Sequence, residues 1–392
     1  MYYKNLKISL ESIAITILIF IAPFMRLVIF DRGIIFLSLF LVIPIYLIGI
    51  FKKLSTKLIK LDIFRFLIFI FILYLIFSRV YYYGADVTFF DFDEIKSLLV
   101  GLLLFTFIPN QKELNLYFIA SVISAIIMVF LYILSSEYYL GGVRLYVFLN
   151  EVPLDPNMTA ATFFLPVIYL ISIASEKKNW FFKIATYALI LLNIYYTILS
   201  GSRGGLFTIL ALIFGTLFFI YYKRNKILQF FIVSGIISIA LILIALGLDS
   251  NLLLRFNLSF IIETGGSGRT EIWITQIEEF FKNTSIFNAL FGYGQYSSIY
   301  YLEIAAHNIL IEYLWEIGLI GLIYYLILVI YLIVKSLKNR SYKTFVLLMG
   351  VLMWSSTIST NNQVVYWVLL YICYSNLKVD TIINTKLIKE GA

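Results

Sequence analysis

The chain has 392 residues, 62% of them hydrophobic and only 13% charged, with a mean hydropathy of +0.96. Soluble domains run at roughly 45–50% apolar and about 25% charged, so this composition excludes an ordinary soluble protein and places the chain in a bilayer. The formal net charge of +8 implies no nucleic-acid partner, because the cytoplasmic loops of membrane proteins carry an excess of Lys and Arg.

A spanning helix needs about 20 mainly apolar residues, and the apolar stretches predict twelve spans, centred near residues 18, 42, 70, 101, 124, 166, 190, 213, 237, 321, 350 and 369. The fold class is therefore an all-α integral membrane protein, a single polytopic domain over residues 1–392. Its first stretch follows Lys4 and Lys7 with no small-residue cleavage site behind it, which reads as a retained span and not a signal peptide. With both termini cytoplasmic, the inner segments are the Lys4 and Lys7 region, "KKLSTKLIK" through Arg65, Lys112, "SEKKNWFFK", "YYKRNK", "KSLKNRSYK" and the tail. More than two thirds of the 30 Lys and Arg residues fall there, as the positive-inside tendency requires. A lone cysteine, Cys373, in the last span allows no internal disulfide and reads as a small core hydrophobe.

The outer face keeps four polar segments, residues 80–94, 135–157, 200–205 and a long loop at 248–307. In the first, "DFDE" holds an Asp-x-Asp pair, Asp91 and Asp93, a pattern that binds metal in some glycosyltransferases but is very weak by itself. The second carries Arg144 with Asn150, Asp155 and Asn157. The third, "LSGSRGG", places Arg203 at the edge of a span. A charge there is costly enough to suggest a purpose, the flanking glycines let backbone approach a ligand, and snorkelling to the interface is the plainer alternative. In the fourth, "TGGSGRT" lacks the spacing of a phosphate loop. Behind it "TEIWITQIEEFFKN" predicts an amphipathic interfacial helix, with Trp273, Ile274, Ile277, Phe280 and Phe281 on one face and Glu271, Thr275, Glu278, Glu279 and Lys282 on the other. Arg269 stands at its N-terminus, a setting suited equally to an anion ligand and to lipid headgroups or Glu271. Three outer arginines without a metal site suit a pyrophosphate, since guanidinium binds phosphate oxygens in bidentate fashion.

His307 is the single histidine, so no His-rich metal site exists. At 100° per residue Gly318 and Gly321 lie about 20° and −40° from it on one helix, a face on which another span packs closely. A catalytic base above that contact and a surface histidine above a packing motif fit the local sequence equally.

Together these residues resemble a known family. "HNILIEYLWEIGLIG" fits a pattern of His-Asn, nine residues, Gly, two residues, Gly at His307, Asn308, Gly318 and Gly321. "LSGSRGG" is similar to a Ser-Arg-Gly turn, and "SGRTEIW" followed by "LFGYGQ" resembles the approach to the histidine. These are signatures of the O-antigen polymerase and ligase family of bacterial membrane glycosyltransferases, and the resemblance runs over residues 144–321. It implies a GT-C-like membrane fold whose active site faces the outer side of the bacterial inner membrane. The implied reaction is metal-independent and cofactor-independent transfer of a glycan, with inversion, from undecaprenyl pyrophosphate to a sugar hydroxyl. His307 would be the general base, and Arg203 and Arg269 would neutralise the leaving pyrophosphate. Arg144, Asn157, Asn308 and Tyr293 would bind substrate. Aromatic residues such as Tyr293, Tyr296, Tyr300 and Tyr301 could stack on sugars, but with Phe and Tyr this abundant interface packing is the better reading of each.

The lean chain, with no appended acceptor-binding domain, favours a repeat-unit polymerase over a ligase that moves finished polymer to a lipid core or protein. A chain-length regulator would be a protein partner of such a polymerase. A flippase for lipid-linked sugars is disfavoured, because no repeated halves are found and the polar groups gather at the outer surface rather than the midplane.

Overall fold

In the computed structural model the described residues are 7–390, apart from 25–27, 30–31, 34–37, 40–41, 46, 49–61, 84–91, 140–143, 150–151, 178, 247–251, 254, 264–267, 296, 299–304 and 359–362. The chain forms helices α1 (Leu10–Ile21), α2 (Ile63–Tyr83), α3 (Phe92–Phe105) and α4 (Gln111–Ser135). An antiparallel sheet of β1 (Ser136–Tyr139), β2 (Arg144–Leu149) and β3 (Val152–Pro153) follows. Then come α5 (Pro156–Ala161), α6 (Phe164–Glu176), α7 (Trp180–Leu199), α8 (Arg203–Lys223) and α9 (Ile227–Leu246). The remaining helices are α10 (Leu258–Glu263), α11 (Arg269–Asn283), α12 (Ile286–Phe291), α13 (Ile309–Lys338), α14 (Tyr342–Ser355) and α15 (Val364–Glu390).

Among the described residues six helices are long and apolar enough to cross a membrane: α2, α4, the continuous stretch of α5 and α6, α7, α8 and α13. Shorter apolar helices stand at four more of the expected positions, Leu10–Phe24, Lys96–Phe105, Ile227–Ile239 and Tyr342–Ser355. The span expected near residue 42 lies partly outside the described residues. The exposed sides of the long helices are apolar, with Phe77, Leu134 and Ile323 more than half exposed, the reverse of a soluble bundle. The stretch expected near 369 differs from its neighbours. Tyr366, Trp367, Tyr371 and Tyr374 of α15 are fully buried, so this helix is wrapped by the others. Phe64 stacks on Tyr374 at 5.0 Å and the Phe105 ring meets Tyr371 edge-on at 5.7 Å. Since lipid tails are as apolar as these rings, close packing rather than water exclusion holds such a centre together. The phenol hydroxyls need partners there, and Tyr366 donates to Tyr325 at 3.0 Å.

Helix ends gather at two poles. At one, Asn110 and Glu113 form a capping box on α4, and Glu113 Oε1 also accepts from the backbone and hydroxyl of Ser9 at 2.8 and 2.7 Å. A cavity of about 560 Å³ lined by Gln111, Glu176, Lys177, Lys343 and Asn376 brings the start of α4, the end of α6 and the start of α14 together. Lys378 pairs with Asp62 at 3.1 Å beside them. At the other pole the indole of Trp354, ending α14, donates to the Asn157 carbonyl at 3.2 Å. Gly204 and Gly350 let α8 and α14 meet: a methyl on Gly350 would stand 2.4 Å from Leu212 Cδ2, and one on Gly204 2.1 Å from Thr357 Oγ1.

Two features correct the expected all-α plan. The polar segment at 135–157 is a sheet, not a loop, in register Ser136↔Val147 and Tyr139↔Arg144. Its second strand alternates buried Leu145 and Val147 with half-buried Arg144, Tyr146 and Phe148, the period of a strand with one face on the bundle. The helix after His307 also starts later and is not straight. Asn308 is its cap and its first residue is Ile309, and it breaks at Gly318, where φ is 67° and ψ is −171°. The angular relation between His307 and the two glycines therefore does not hold. The close partner at Gly318 is not another span but the end of α12. A Cβ on Gly318 would lie 2.5 Å from the Leu290 carbonyl and the Gly292 nitrogen, and one on Gly292 2.3 Å from the Glu316 carbonyl.

Such a break strands carbonyls, which in a membrane must be paired. Tyr293 N donates to Trp315 O at 2.9 Å, Gly294 N to Glu316 O at 2.8 Å, and the Tyr74 hydroxyl to Ile317 O at 3.0 Å. Gly292, with φ 80° and ψ −170°, shares the same glycine-only region of backbone space as Gly318. Gly318→Ala meets both that strain, of order 1–3 kcal/mol, and a clash with backbone. We expect it to lower the thermal midpoint of the purified protein, read by size exclusion after heating, and to take activity down with it; unchanged thermostability would remove this contact from the account.

Candidate active site

The pole opposite the lysine-lined cavity gathers four arginines and the histidine. Arg144 opens β2, with Nη1 3.4 Å from the Tyr146 hydroxyl and Nη2 3.5 Å from the Gly201 carbonyl. Gly201 turns the chain from α7 into α8 at a φ of 64°. A Cβ there would stand 3.2 Å from Nε of Arg255 and 3.3 Å from Nε of Arg144, so both guanidinium stems rest on this one glycine. Arg203 is the first residue of α8. Ser202 caps that helix, its Oγ accepting from Gly205 N at 3.1 Å and donating to Asn157 Oδ1 at 2.7 Å. The Ser-Arg-Gly turn is thus fastened to the start of α5, which Asp155 caps through Asn157 N at 2.7 Å and Met158 N at 3.3 Å. Arg269 is the first residue of α11, preceded by Gly268 at a φ of 78° with no side-chain cap.

His307 sits between two fastened neighbours. The Trp273 indole of α11 donates to the carbonyl of Ala306 at 2.7 Å, and the Asn308 side chain caps α13 by accepting from Leu310 N at 3.0 Å and Ile311 N at 3.4 Å. His307 itself takes a φ of 51°, a conformation uncommon outside glycine and found where the surroundings over-determine it. Burial, then the Arg269 cation, hold its imidazole below the usual 6.5, with Asp155 opposing. It is therefore neutral at pH 7 and able to accept a proton.

Three of the arginines are depressed, Arg203 by burial and then by the Arg144 cation. Arg255 is pushed down to about 10, first by burial and then by Arg144 and Arg203. Arg269 is lowered by burial, then Arg144 and Arg203, with Asp155 opposing. Two of these cations, Arg203 and Arg269, stand at helix N-termini, where the backbone dipole favours anions. Among the described residues Nε of Arg144 and of Arg255 are buried without a hydrogen-bond partner. A cluster of this kind is chemically suited to a polyvalent anion.

Of the residues singled out from sequence, the structure brings Arg144, Asn157, Arg203, Arg269 and His307 to one pole. Asn157 acts there by holding Ser202, and the Asn308 carboxamide serves the helix. The Tyr293 ring stacks on Trp315 at 4.9 Å, 22° from parallel, and its hydroxyl pairs with Thr284 at 2.9 Å, a wedge between α11 and α13. The glycines of the "SRGG" turn pack against protein, Gly204 on Thr357 and Gly205 on Ala160; Gly201 is the one beneath the arginines. Asp91, Asn150, Tyr296, Tyr300 and Tyr301 lie outside the described residues, as does the Asp93 side chain. The predicted amphipathic helix is present, one residue longer at the start. Its apolar face divides: Phe280 is buried, while Ile274, Ile277 and Phe281 are exposed. Arg255 belongs to no motif, yet a cation in the apolar run "NLLLRFN" is itself a signal, because such a charge is retained only at a cost.

Residues 188–326 match the model of a family described as O-antigen ligase. The match supports a relation of this segment to the O-antigen polymerase and ligase family. The segment contains Arg203, Arg255, Arg269 and His307, whereas Arg144 reaches the site from the sheet before it. Members of the family are glycosyltransferase-like enzymes. No curated protein matches the chain. Within this segment the Trp273 to Ala306 bond joins the arginine-bearing helix to the histidine. Trp273→Phe keeps an aromatic ring and removes the donor; we expect turnover to fall by about 10- to 100-fold while the monodisperse fraction stays at the wild-type level. Unchanged turnover would show that His307 is positioned without this bond.

Proposed function

We propose that the protein is a polysaccharide repeat-unit polymerase. It transfers the glycan of one undecaprenyl-pyrophosphate-linked oligosaccharide to a sugar hydroxyl of another, with inversion and without a metal or cofactor. What supports this reading is a histidine fastened on both sides at the same pole as four arginines, with the Arg269 cation acting on it. His307 accepts the proton of the acceptor hydroxyl as that oxygen attacks the anomeric carbon. The bond from that carbon to the pyrophosphate oxygen breaks on the opposite face, and the added negative charge of the leaving group falls on Arg203, Arg269 and Arg144. Arg rather than Lys suits this task, since its fork bonds phosphate oxygens in pairs. A ligase, transferring finished polymer to a lipid core or protein, uses the same groups, and the description of the matched family favours it as the second reading. The high aromatic content, 18% of residues, is usual among the polymerases and favours that reading.

The proposed setting is the bacterial inner membrane, with twelve spans, both termini inside and the arginine pole on the outer face. Lys112, Lys177, Lys343 and Lys378 at the opposite pole support that orientation. Glu271 and Lys226 are both exposed, so single cysteines placed there in a Cys373→Ser background report sidedness. An impermeant maleimide should label position 271 in intact cells and position 226 only after permeabilisation. Labelling of 226 from outside would reverse the orientation.

Purified protein supplied with lipid-linked repeat units alone should build a polymer ladder; a ligase yields product only when a separate acceptor is added. In that assay His307→Ala is expected to slow turnover by about 10²–10⁴-fold with stability and donor binding near wild type. Because His307 is the single histidine, nuclear magnetic resonance of histidine-labelled protein reads its pKa directly. The value should lie below 6.5 and should rise in Arg269→Gln, which removes a cation that disfavours protonation. Polymerisation at the normal rate by stable His307→Ala removes the histidine from the chemistry.

A further inference from the structure

The pole away from the arginines holds two adjoining cavities that the proposed transfer does not use. One, of about 560 Å³, lies between the start of α4, the end of α6 and the start of α14, and the second, of about 330 Å³, runs on from it to the end of α8. Gln111, Lys343 and Asn376 line both, so the two form one recess. Its size falls in the range of small-molecule sites, roughly 300–1,000 Å³. The floor is apolar. Phe118 stacks on Tyr169 at 5.0 Å, 2° from parallel, and buried Ile168, Leu347 and Ile372 close the wall beside them. Since Phe118 stands two turns into α4, which begins at Gln111, the recess reaches about 10 Å below the helix ends. The rim is basic. Among the described residues Lys112, Lys177, Lys223, Arg340 and Lys343 stand exposed around the mouth, against the carboxylates of Glu176 and Asp380. Lys223 is held over the Tyr342 ring at 4.9 Å, and that ring stacks on Phe219 at 4.5 Å. Because the Ser341 hydroxyl turns to Asp380 and Thr344, α14 begins without a side-chain cap, and its first backbone N–H groups add to the positive mouth.

A basic rim alone is what the positive-inside tendency leaves on a membrane protein. An apolar recess cut beneath it is not. Cations at headgroup depth above an apolar slot match an amphiphile with an anionic head. We propose that this recess binds an anionic glycerophospholipid, its phosphate among Lys177, Lys343 and the open start of α14 and the upper part of an acyl chain against Phe118 and Tyr169. Basic pockets between spans hold lipid headgroups in this way. Lys112, Lys177 and Lys343 come from α4, the end of α6 and α14, so one phosphate bridges three helix ends whose charges repel. The site shares no residue with the arginine pole and stands whether or not the polymerase reading does. The proposed orientation decides only that the leaflet is the cytoplasmic one.

Full-length protein purified in a nonionic detergent can be titrated with dioleoyl phosphatidylglycerol, dioleoyl phosphatidylcholine and glycerol phosphate, with bound molecules counted by native mass spectrometry. Wild type should bind phosphatidylglycerol at least about tenfold more tightly than the zwitterionic lipid, since each lysine near an anionic headgroup contributes roughly fivefold in affinity. Lys177→Gln combined with Lys343→Gln should weaken phosphatidylglycerol binding by about 10- to 30-fold, and Lys177→Arg with Lys343→Arg should restore it. Lys226→Gln with Lys338→Gln removes the same charge from exposed positions outside the recess and should change binding by less than about twofold. All four lysines are exposed, so none of these exchanges disturbs the packed interior. Equal affinity of wild type for the two lipids, or full affinity in the Lys177 and Lys343 glutamine variant, overturns the proposal. An equal loss in the Lys226 and Lys338 variant reduces the effect to general surface attraction and overturns it too. Glycerol phosphate bound as tightly as phosphatidylglycerol would assign the recess to a soluble phosphate and remove the lipid.

Discussion

Gly292 and Gly318 meet backbone to backbone, and the outer part of the molecule depends on that meeting. The contact breaks α13, and the freed carbonyls of Trp315 and Glu316 then hold Tyr293 and Gly294 in place. Tyr293 covers Trp315, Phe280 of α11 lies against both rings at 6.4 and 6.1 Å, and α11 thereby acquires a fixed position. From α11 come Arg269, at its first residue, and Trp273, which holds the peptide before His307. A single region of glycine-only backbone is thus transmitted through three rings and one hydrogen bond to His307 and to Arg269. Side chains larger than hydrogen at either glycine would separate α12 from α13 and loosen each later link.

The opposite tendency operates at the arginines. Packing draws them together although they repel, since the glycine beneath Arg144 and Arg255, the cap at Arg203 and the docking of α11 are each settled by uncharged contacts. On the proposed reading that repulsion is relieved when the pyrophosphate binds. Asp155 offsets only part of it, and its carboxylate is already committed to the start of α5. Binding energy available to the polyanion is consequently larger than it would be in a site balanced by neighbouring carboxylates. A water-poor membrane surface strengthens the effect.

How much of this was legible in the sequence varied with the range of the interaction. Membrane residence, the helical bundle and the α11 helix follow from composition and periodicity, and local motifs singled out Arg203, Arg269 and His307, which the fold brings to one pole. The β1–β2 hairpin was signalled by Gly141 and Gly142 between aromatic, β-branched runs, a turn pattern obscured by reading 135–157 as one polar loop. The break at Gly318 was not legible, because "EIGLIGLIYYLI" is a continuous helical pattern and only the approach of Gly292 from another segment dictates the unusual φ. Arg255 was missed for a related reason. Its significance lies in Arg144, 111 positions away, and in Gly201 between them, a juxtaposition that exists only after folding. α15 shows the limit of hydropathy itself, for its tyrosines resemble interface residues until the surrounding helices are seen to bury them.

On the proposed reading, the exposed apolar surface of α11 and α12 links the chemistry to its substrate. Ile274, Phe281, Ile286 and Phe287 are about half exposed or more and apolar, on the same helices whose inner sides hold Arg269 and the Tyr293 wedge. An interfacial helix of this kind sits at the headgroup boundary, which sets the depth of the arginine cluster relative to the bilayer. On the proposed reading, a polyprenyl chain occupies the hydrocarbon region while its pyrophosphate lies at that same boundary. The protein then need not lift the lipid or bury a charge in the bilayer. Its arginine pole has only to meet the phosphates at the depth at which they already travel.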